Sequence, residues 1–434
     1  MTTKILRGQA LTFKADPFLV GDDQSFQYES DALVMIEDGK IKSFGSYASL
    51  KDSIPEGSEV TDYKNSLIIP GFVDTHVHYP QTEIIGAYGK QLLDWLNNYT
   101  FVAEQKFADK NHATEVAKVF IKESLRSGTT TSLVFGTVHE HSVDALFEEA
   151  EKLNLRMVAG KVLMDRNAPP ALLDTAQKGY DESKALIKRW HGKGRLSYAI
   201  TPRFAPTSTP EQLKMAGELW KEHPGTYVQT HISENLGEIA WVKELFPERS
   251  DYLDVYDHYG LLGERSLYAH GVHLTESEWA RMHKCGAAVC HCSTSNQFLG
   301  SGLFSFEKAK DKTRPVKTGL GTDIGAGTSF SHLQTMNESY KIGQLSGYSL
   351  SSLKAFYLAT KGGAESLYME DKVGSIAPGM EADLVVLDLK STPLMDFRMG
   401  FCKDINEVLF ILMTLGDDRA TESVYVAGEK VYGK

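Results

Sequence analysis

Cysteine is scarce: Cys285, Cys290, Cys292 and Cys402 are the only four in 434 residues. So few thiols cannot staple a chain of this length, which excludes a disulfide framework and points to a reducing, cytoplasmic setting. Long apolar runs are missing too. The longest, about "VLFILMTL" at 408–415, falls well short of the ~20 residues that span a bilayer. The opening "MTTKILRGQALTF" has no apolar stretch of the secretory kind. An excess of basic charge is also absent, because 46 Lys+Arg against 57 Asp+Glu leave a formal net charge of −11. Such acidity speaks against a nucleic-acid-binding surface. No 20–50-residue repeat recurs, which removes solenoids.

What is present is ordinary globular material, 42% hydrophobic and 24% charged. Both ends read as short strands and turns. "ALVMIEDGKIKSFG" alternates around Asp38-Gly39, a hairpin signal, and "DLVVLDL" and "ESVYVAGEKVYGK" behave alike near the other end, the latter with Ala427-Gly428-Glu429 as its turn. The expectation is one small composite β-sandwich built from residues 1–69 and 376–434, with two unrelated flaps as the alternative.

The middle, 70–375, alternates apolar strand-like runs with helical patterns. The strand candidates are "LIIPGFVDTHVH", "TTTSLVFG", "LRMVAGKVLMD", "LSYAITPRFAP", "TYVQTHISE", "SLYAHGVHL", "AAVCHCSTSN" and "KTGLGTDIGAG". Between them lie segments such as 113–128, with helical spacing and a terminal glycine, and 209–220, with Thr209 placed as a cap before Pro210. Eight such alternations predict an α/β chain with a TIM-like (β/α)8 barrel. An open doubly wound sheet is the competitor, but no GxGxxG follows the first strand.

Residues i and i+2 of a strand share a face, so His76 and His78 in "FVDTHVHYPQ" can both aim into a barrel mouth and meet one zinc ion. Alone, HxH is weak in a chain with 14 histidines. Other strand ends strengthen it: His231 and Glu234 at the fifth, His270 at the sixth and Asp323 at the eighth. Barrel enzymes assemble their sites at the carboxyl ends of several strands, so these residues can converge. For Glu234 a helix N-terminal charge remains an alternative. "CHCS" at 290–293 would place two sulfurs on one strand face and His291 on the other. With no second cysteine pair, buried strand cysteines explain it better than a metal.

With these residues in hand, the sequence resembles the amidohydrolase superfamily, whose first strand carries HxH and whose fifth, sixth and eighth strands carry His, His and Asp. The likeness spans nearly the whole chain, from "LIIPGFVDTHVH" to "VGSIAPGMEADLVVLD". It is narrowest toward the guanine-deaminating branch, through "LLDWLNNYTFVAEQKF" (92–107), "TPRFAPTST" (201–209), "THISEN" (230–235) and "HCSTSNQFLGSGLF" (291–304). Ser293 departs from a proline expected in that branch, which puts loop rigidity in doubt.

The resemblance implies one zinc per chain bound by His76, His78, His231 and Asp323, with iron as the other metal suited to the donors. Such an ion lowers the pKa of water to about 7. Relatives with two metals bridge them by a modified lysine from strand four. "LSYAITPRFAP" has none, although Lys161 lies on the third candidate strand. The resemblance further implies guanine as substrate and xanthine and ammonia as products. Glu234 would protonate ring N3, Asp323 would relay the water's proton, and His270 would orient the water. His78, His231, Glu234 and Asp323 would also contact the substrate. The Gln81 amide, which donates and accepts, suits a purine edge. Arg203 could donate to O6 with Phe204 beside the ring; a buried salt bridge and a core phenylalanine are the alternatives. Trp95 reads better as core than as a cover for the base.

The resemblance also implies a homodimer, and no nucleic-acid or membrane partner is expected. Related deaminases and chlorohydrolases acting on pterins, triazines or other bases are the enzyme alternatives, and a barrel kept as an assembly scaffold is the non-enzyme one. The H-x-E with P-C-x-x-C pattern of the other zinc-deaminase fold does not occur.

Overall fold

The computed structural model describes residues 3–89 and 92–434; Met1 and Thr2 of the expected amino-terminal module lie outside them. In chain order the strands are β1 (Thr3–Phe13), β2 (Phe26–Glu37), β3 (Lys40–Ser46), β4 (Val60–Pro70), β5 (Phe72–His78), β6 (Thr129–Phe135), β7 (Arg156–Gly160) and β8 (Val162–Leu163). They continue as β9 (Leu196–Pro202), β10 (Tyr227–Ile232), β11 (Ser266–His270), β12 (Ala288–His291), β13 (Lys317–Leu320), β14 (Leu384–Asp388), β15 (Thr421–Val426) and β16 (Glu429–Gly433).

Eight of them, β5, β6, β7, β9, β10, β11, β12 and β13, pair in parallel in that order, with the short β8 beside β9. The sheet nearly closes on itself: the Asp323 N–H donates to the His76 carbonyl at 2.9 Å and the His78 N–H to Ile324 at 3.0 Å. The predicted barrel is present, and each strand candidate occupies its expected place. Two runs are broken, however. "LIIPGFVDTHVH" is two strands in different sheets divided at Gly71, and "LRMVAGKVLMD" is β7 and β8 divided at Lys161. Gly71 has a steric reason to be glycine, because a Cβ there would sit 2.2 Å from Thr130 Oγ1.

Crossover helices form where the pattern put them. Lys110–Arg126 turns Ala117, Phe120, Ile121 and Leu125 inward, and Pro210–Glu222 begins at Thr209, whose side chain accepts from the Gln212 N–H. That hydroxyl satisfies one of the donors a helix start leaves unpaired.

The two ends of the chain form a single seven-stranded mixed sheet in the order β16-β15-β14-β4-β1-β2-β3. Both hairpins turn where the sequence said: Asp38-Gly39 and Ala427-Gly428 take positive φ, at 49° and 80° and at 45° and 76°, as tight two-residue turns require. Along β14 the strand period divides the side chains. Val385 and Leu387 pack with the barrel and helix core, while Leu384 and Val386 join Leu6, Val34 and Ile36. No helix among the described residues is long and apolar enough to cross a membrane.

Charge joins this sheet to the barrel's amino-terminal end. Arg195, just before β9, donates through Nη2 to Glu381 at 2.6 Å and to Asp383 at 2.5 Å, and Arg156 also pairs with Glu381. Asp383 is almost fully buried, so its charge has no adequate substitute for this partner. Arg195→Ala is expected to destabilise the protein by about 3 kcal/mol, as loss of one member of a buried pair does. An unchanged urea unfolding midpoint would contradict it.

Candidate active site

Histidine donors meet where β5 and β10 end. His76 and His78 leave β5 on one face, and their Nε2 atoms lie 3.2 and 3.5 Å from Asp323 Oδ1. His231, from β10, brings its Nε2 to 3.1 Å from that of His78. His270, the last residue of β11, sets Nε2 3.3 Å from Glu234 Oε2 and 3.9 Å from Asp323 Oδ2. Ser233, His270 and Asp323 have φ of 48°, 74° and 50°, a left-handed conformation that costs a non-glycine residue about 1–3 kcal/mol and gathers at functional sites.

The ring nitrogens show what this cluster can hold. His231 Nδ1 lies 2.6 Å from the Arg203 carbonyl, which can only accept. The proton of the neutral ring is therefore on Nδ1, and Nε2 offers a lone pair to the cluster. His76 has no hydrogen-bond partner for either ring nitrogen among the described residues, its approach to Asp323 being misaligned for one. Burial pulls His76 below the usual imidazole range and His78 and His231 well below it, assisted for the latter two by the neighbouring charges. Neutral imidazoles with free lone pairs are the form that binds metal. The donor separations of 3.1–3.5 Å also match the ~3.4 Å between ligands ~2.1 Å from one tetrahedral ion. The residues present thus fit a metal site.

A second, overlapping group of metal-capable donors joins His76, His270 and Asp323 to Cys292. Burial, followed by Cys290, drives the Cys292 thiol well above its ordinary pKa, and a thiol kept protonated is a poor ligand. The Cys290 and Cys292 sulfurs are 3.7 Å apart, as their shared strand face requires, while His291 packs between Phe304 and Phe306.

Two carboxyl groups here are pushed in opposite directions. Burial, reinforced by the charge of Asp323, raises the Glu234 pKa despite His270 nearby and the Ser301 hydroxyl donating at 2.9 Å. Burial would raise Asp323 too, but His76 and His270 outweigh it and hold that carboxyl below the usual range. Burial also pulls His270 down, and the carboxylates of Glu234 and Asp323 more than restore it, leaving its pKa raised.

Above the cluster opens a cavity lined by His78, Gln81, Trp95, Arg203, Phe204, His231, Glu234, His270 and Asp323, among others. Every predicted site residue except the deeper His76 reaches it. Arg203 realises the salt-bridge alternative as well, since Nη1 lies 2.9 and 2.8 Å from the two Glu104 oxygens. Phe204 meets Trp241 edge-on. Trp95 is buried, as expected of a core residue, yet it also forms cavity wall. Lys161 is engaged by Asp174 and, at 3.2 Å, by Glu182, so it stands as a buried ion pair. Ser293 begins a helix and donates to the Thr335 carbonyl at 2.7 Å, which ties the loop down without a proline.

Several working residues carried no sequence signal. Asn296 Oδ1 lies 2.8 Å from His270 Nδ1 and orients that ring. Asp74 accepts from the Thr322 amide at 3.0 Å and hydroxyl at 2.5 Å, joining β5 to the turn that holds Asp323. Glu104 and Ser301 complete the set; "LLDWLNNYTFVAEQKF" contains Glu104, but no spacing within it marks that carboxylate.

A model of the amidohydrolase family matches residues 67–431. The chain is 55% identical over 408 residues to guanine deaminase of Escherichia coli strain K12, covering 94% of this chain and 92% of that one. Its fold superposes on the E. coli guanine deaminase structure with a TM-score of 0.97 at 52% identity, over 99% of this chain and 100% of the other. On guanine deaminase from C. acetobutylicum with bound guanine the TM-score is 0.88 at 33% identity, over 99% and 100%. The chain belongs to the amidohydrolase family.

Proposed function

We propose that this chain is a zinc-dependent deaminase that hydrolyses guanine to xanthine and ammonia. The observation that carries the proposal is the cluster of His76, His78 and His231, with Asp323 3.2 and 3.5 Å from the first two, at the base of a cavity that also presents one raised and one lowered carboxyl. Its relatives are guanine deaminases, and one was solved with guanine bound. Those four side chains would hold the ion. Bound zinc supplies Lewis-acid chemistry, lowering the pKa of a water molecule to about 7.

The chain's own groups do the rest. Glu234, whose pKa burial raises, serves as the acid: it gives a proton to N3 and makes C2 electrophilic. Asp323, ionised, takes one proton from the attacking water. His270, set between the two carboxyl groups, orients that water. The C2–O bond forms, Asp323 passes its proton to the amine, and the C2–N bond breaks to release ammonia. The remaining hydroxyl proton returns to Glu234 as the C2 carbonyl forms, which restores the starting state. Environment thus divides acid from base work between two like side chains. Gln81 and Arg203 present amide and guanidinium groups to the purine edge, and Phe204 lies beside its ring. The proposal includes a cytoplasmic homodimer, and a monomeric mass by light scattering would remove the dimer.

Incubation with guanine, adenine, cytosine and a pterin, followed by ultraviolet absorbance and ammonia release, should show turnover of guanine; absence of xanthine overturns the assignment. Elemental analysis should find zinc rather than iron. Glu234→Gln should keep the metal and lose roughly 10²–10⁴ in kcat, the contribution typical of general acid–base catalysis. His78→Ala should lose metal as well as activity, and a fully loaded, active variant would refute its role as ligand. Because Glu234 acts protonated and its pKa is raised, kcat/KM should fall on an alkaline limb lying above the ordinary glutamate range. A profile without such a limb removes Glu234 as the acid.

A further inference from the structure

Behind the cavity wall lies a carboxylate that does not line the cavity. Glu104 is wholly buried on the short helix Phe101–Gln105. It accepts two hydrogen bonds from Arg203 Nη1, at 2.9 and 2.8 Å, and one from Gln81 Nε2 at 3.2 Å. The same helix sets Phe101 under the guanidinium, with Arg203 Cζ 5.7 Å from the ring centre. The other end of the Gln81 amide is also fixed, since its Oε1 accepts from the Gly325 N–H at 3.2 Å. An amide whose oxygen faces an N–H and whose nitrogen faces a carboxylate cannot flip without losing both bonds.

Building on the function proposed above, we infer that Glu104 is a specificity-setting positioning residue, which locks Arg203 and Gln81 as an array of N–H donors so that the cavity accepts a 6-oxo purine and rejects a 6-amino one. The chemistry follows from the purine edges. A guanine-type edge offers two acceptors, O6 and N7, whereas an adenine-type edge places an amino donor at position 6. A guanidinium has no acceptor, and the Gln81 oxygen is turned toward Gly325. The 6-amino group would therefore meet donors alone and leave its own hydrogens unpaired in a buried wall, which discriminates far more strongly than a small change of shape. Glu104 supplies both halves of this device: it compensates the charge of a nearly buried arginine and dictates which way the glutamine faces.

The test uses purines that the proposed reaction cannot turn over. Hypoxanthine has O6 and N7 but no amino group at C2; adenine carries the 6-amino group. Titration calorimetry on the metal-loaded wild type should show hypoxanthine binding much more tightly than adenine. Glu104→Gln, isosteric but uncharged, should weaken hypoxanthine by roughly 10–100-fold, as expected when hydrogen bonds to a charged group are disturbed, and leave adenine nearly unchanged. For guanine the loss should appear mainly in KM rather than kcat, with metal content retained. Glu104→Asp keeps the charge but withdraws it by one methylene, and should give an intermediate loss of preference; it also serves if Glu104→Gln fails to fold. A variant that retains the full hypoxanthine preference, or one that weakens both purines equally, overturns the inference. Wild type that binds hypoxanthine and adenine equally overturns it too. Wild type that prefers hypoxanthine but makes no xanthine from guanine overturns the proposed function and leaves this inference standing.

Discussion

The structure is organised around lone pairs buried without proton donors to meet them. His76 is fully buried with neither ring nitrogen hydrogen-bonded among the described residues, and the His231 ring is committed by the Arg203 carbonyl to turn an Nε2 lone pair toward His78 Nε2, 3.1 Å away. In a protein interior such atoms are expensive. Protonating the imidazoles would relieve them, but burial opposes the charge and holds all three clustered histidines below their ordinary pKa. A cation would satisfy these lone pairs together, and Asp323, 3.2 and 3.5 Å from His76 and His78, adds the negative charge that favours one. The barrel bends its strand ends to achieve this: Ser233, His270 and Asp323 all sit at positive φ, one at each of three different strand ends. Strain spread over three strands persists only because the surrounding sheet over-determines the backbone there.

A second consequence is the separation of the two carboxyl groups. Glu234 and Asp323 share one cavity and are equally buried, so burial alone would raise both. Both have His270 close by, at 3.3 and 3.9 Å, and are lowered by it; what differs is His76, whose Nε2 lies 3.2 Å from Asp323, while Glu234 faces the charge of Asp323 itself. The donor cluster thus does two things at once, offering lone pairs that fit an ion and holding one carboxyl low beside another that burial raises. His270 links them, with its own charge favoured by both and its ring fixed by Asn296.

The parts of this arrangement that were legible in the sequence share one property: they repeat with a known period or end a recognisable strand. His76 and His78 stood out because a strand shows alternate residues to one face. His231, His270 and Asp323 could be placed because barrel sites form at carboxyl ends. Asp38-Gly39 and Ala427-Gly428 were readable as turns because the φ values demanded there are local. Glu104, Asn296, Ser301 and Asp74 act only through tertiary contacts, across sequence separations of 99 residues for Glu104 with Arg203 and 248 for Asp74 with Thr322. No local pattern encodes such a meeting. The break at Gly71 was illegible for another reason: an unbroken apolar run from Leu67 to Val73 looks like one strand whether it stays in one sheet or passes between two.

That break explains why the two ends of the chain form one sheet. β4 belongs to the mixed sheet and β5 carries the first two histidines, with only Gly71 between them. Any slip of β4 by one residue would exchange the faces of the strand it feeds, turning His76 and His78 out of the cluster. β4 is held on both sides: β1 pairs with it in parallel, and β14 pairs antiparallel from Leu384 opposite Pro70 to Asp388 opposite Ser66. The Gly71 N–H itself donates to the Asp383 carbonyl at 2.9 Å, and Asp383 is in turn gripped by Arg195 at the entry to β9. A strand from the carboxyl-terminal part therefore fixes the register of the strand that delivers His76 and His78 to the cluster. The small sheet acts on the chemistry without touching it, by setting which face of β5 looks into the barrel.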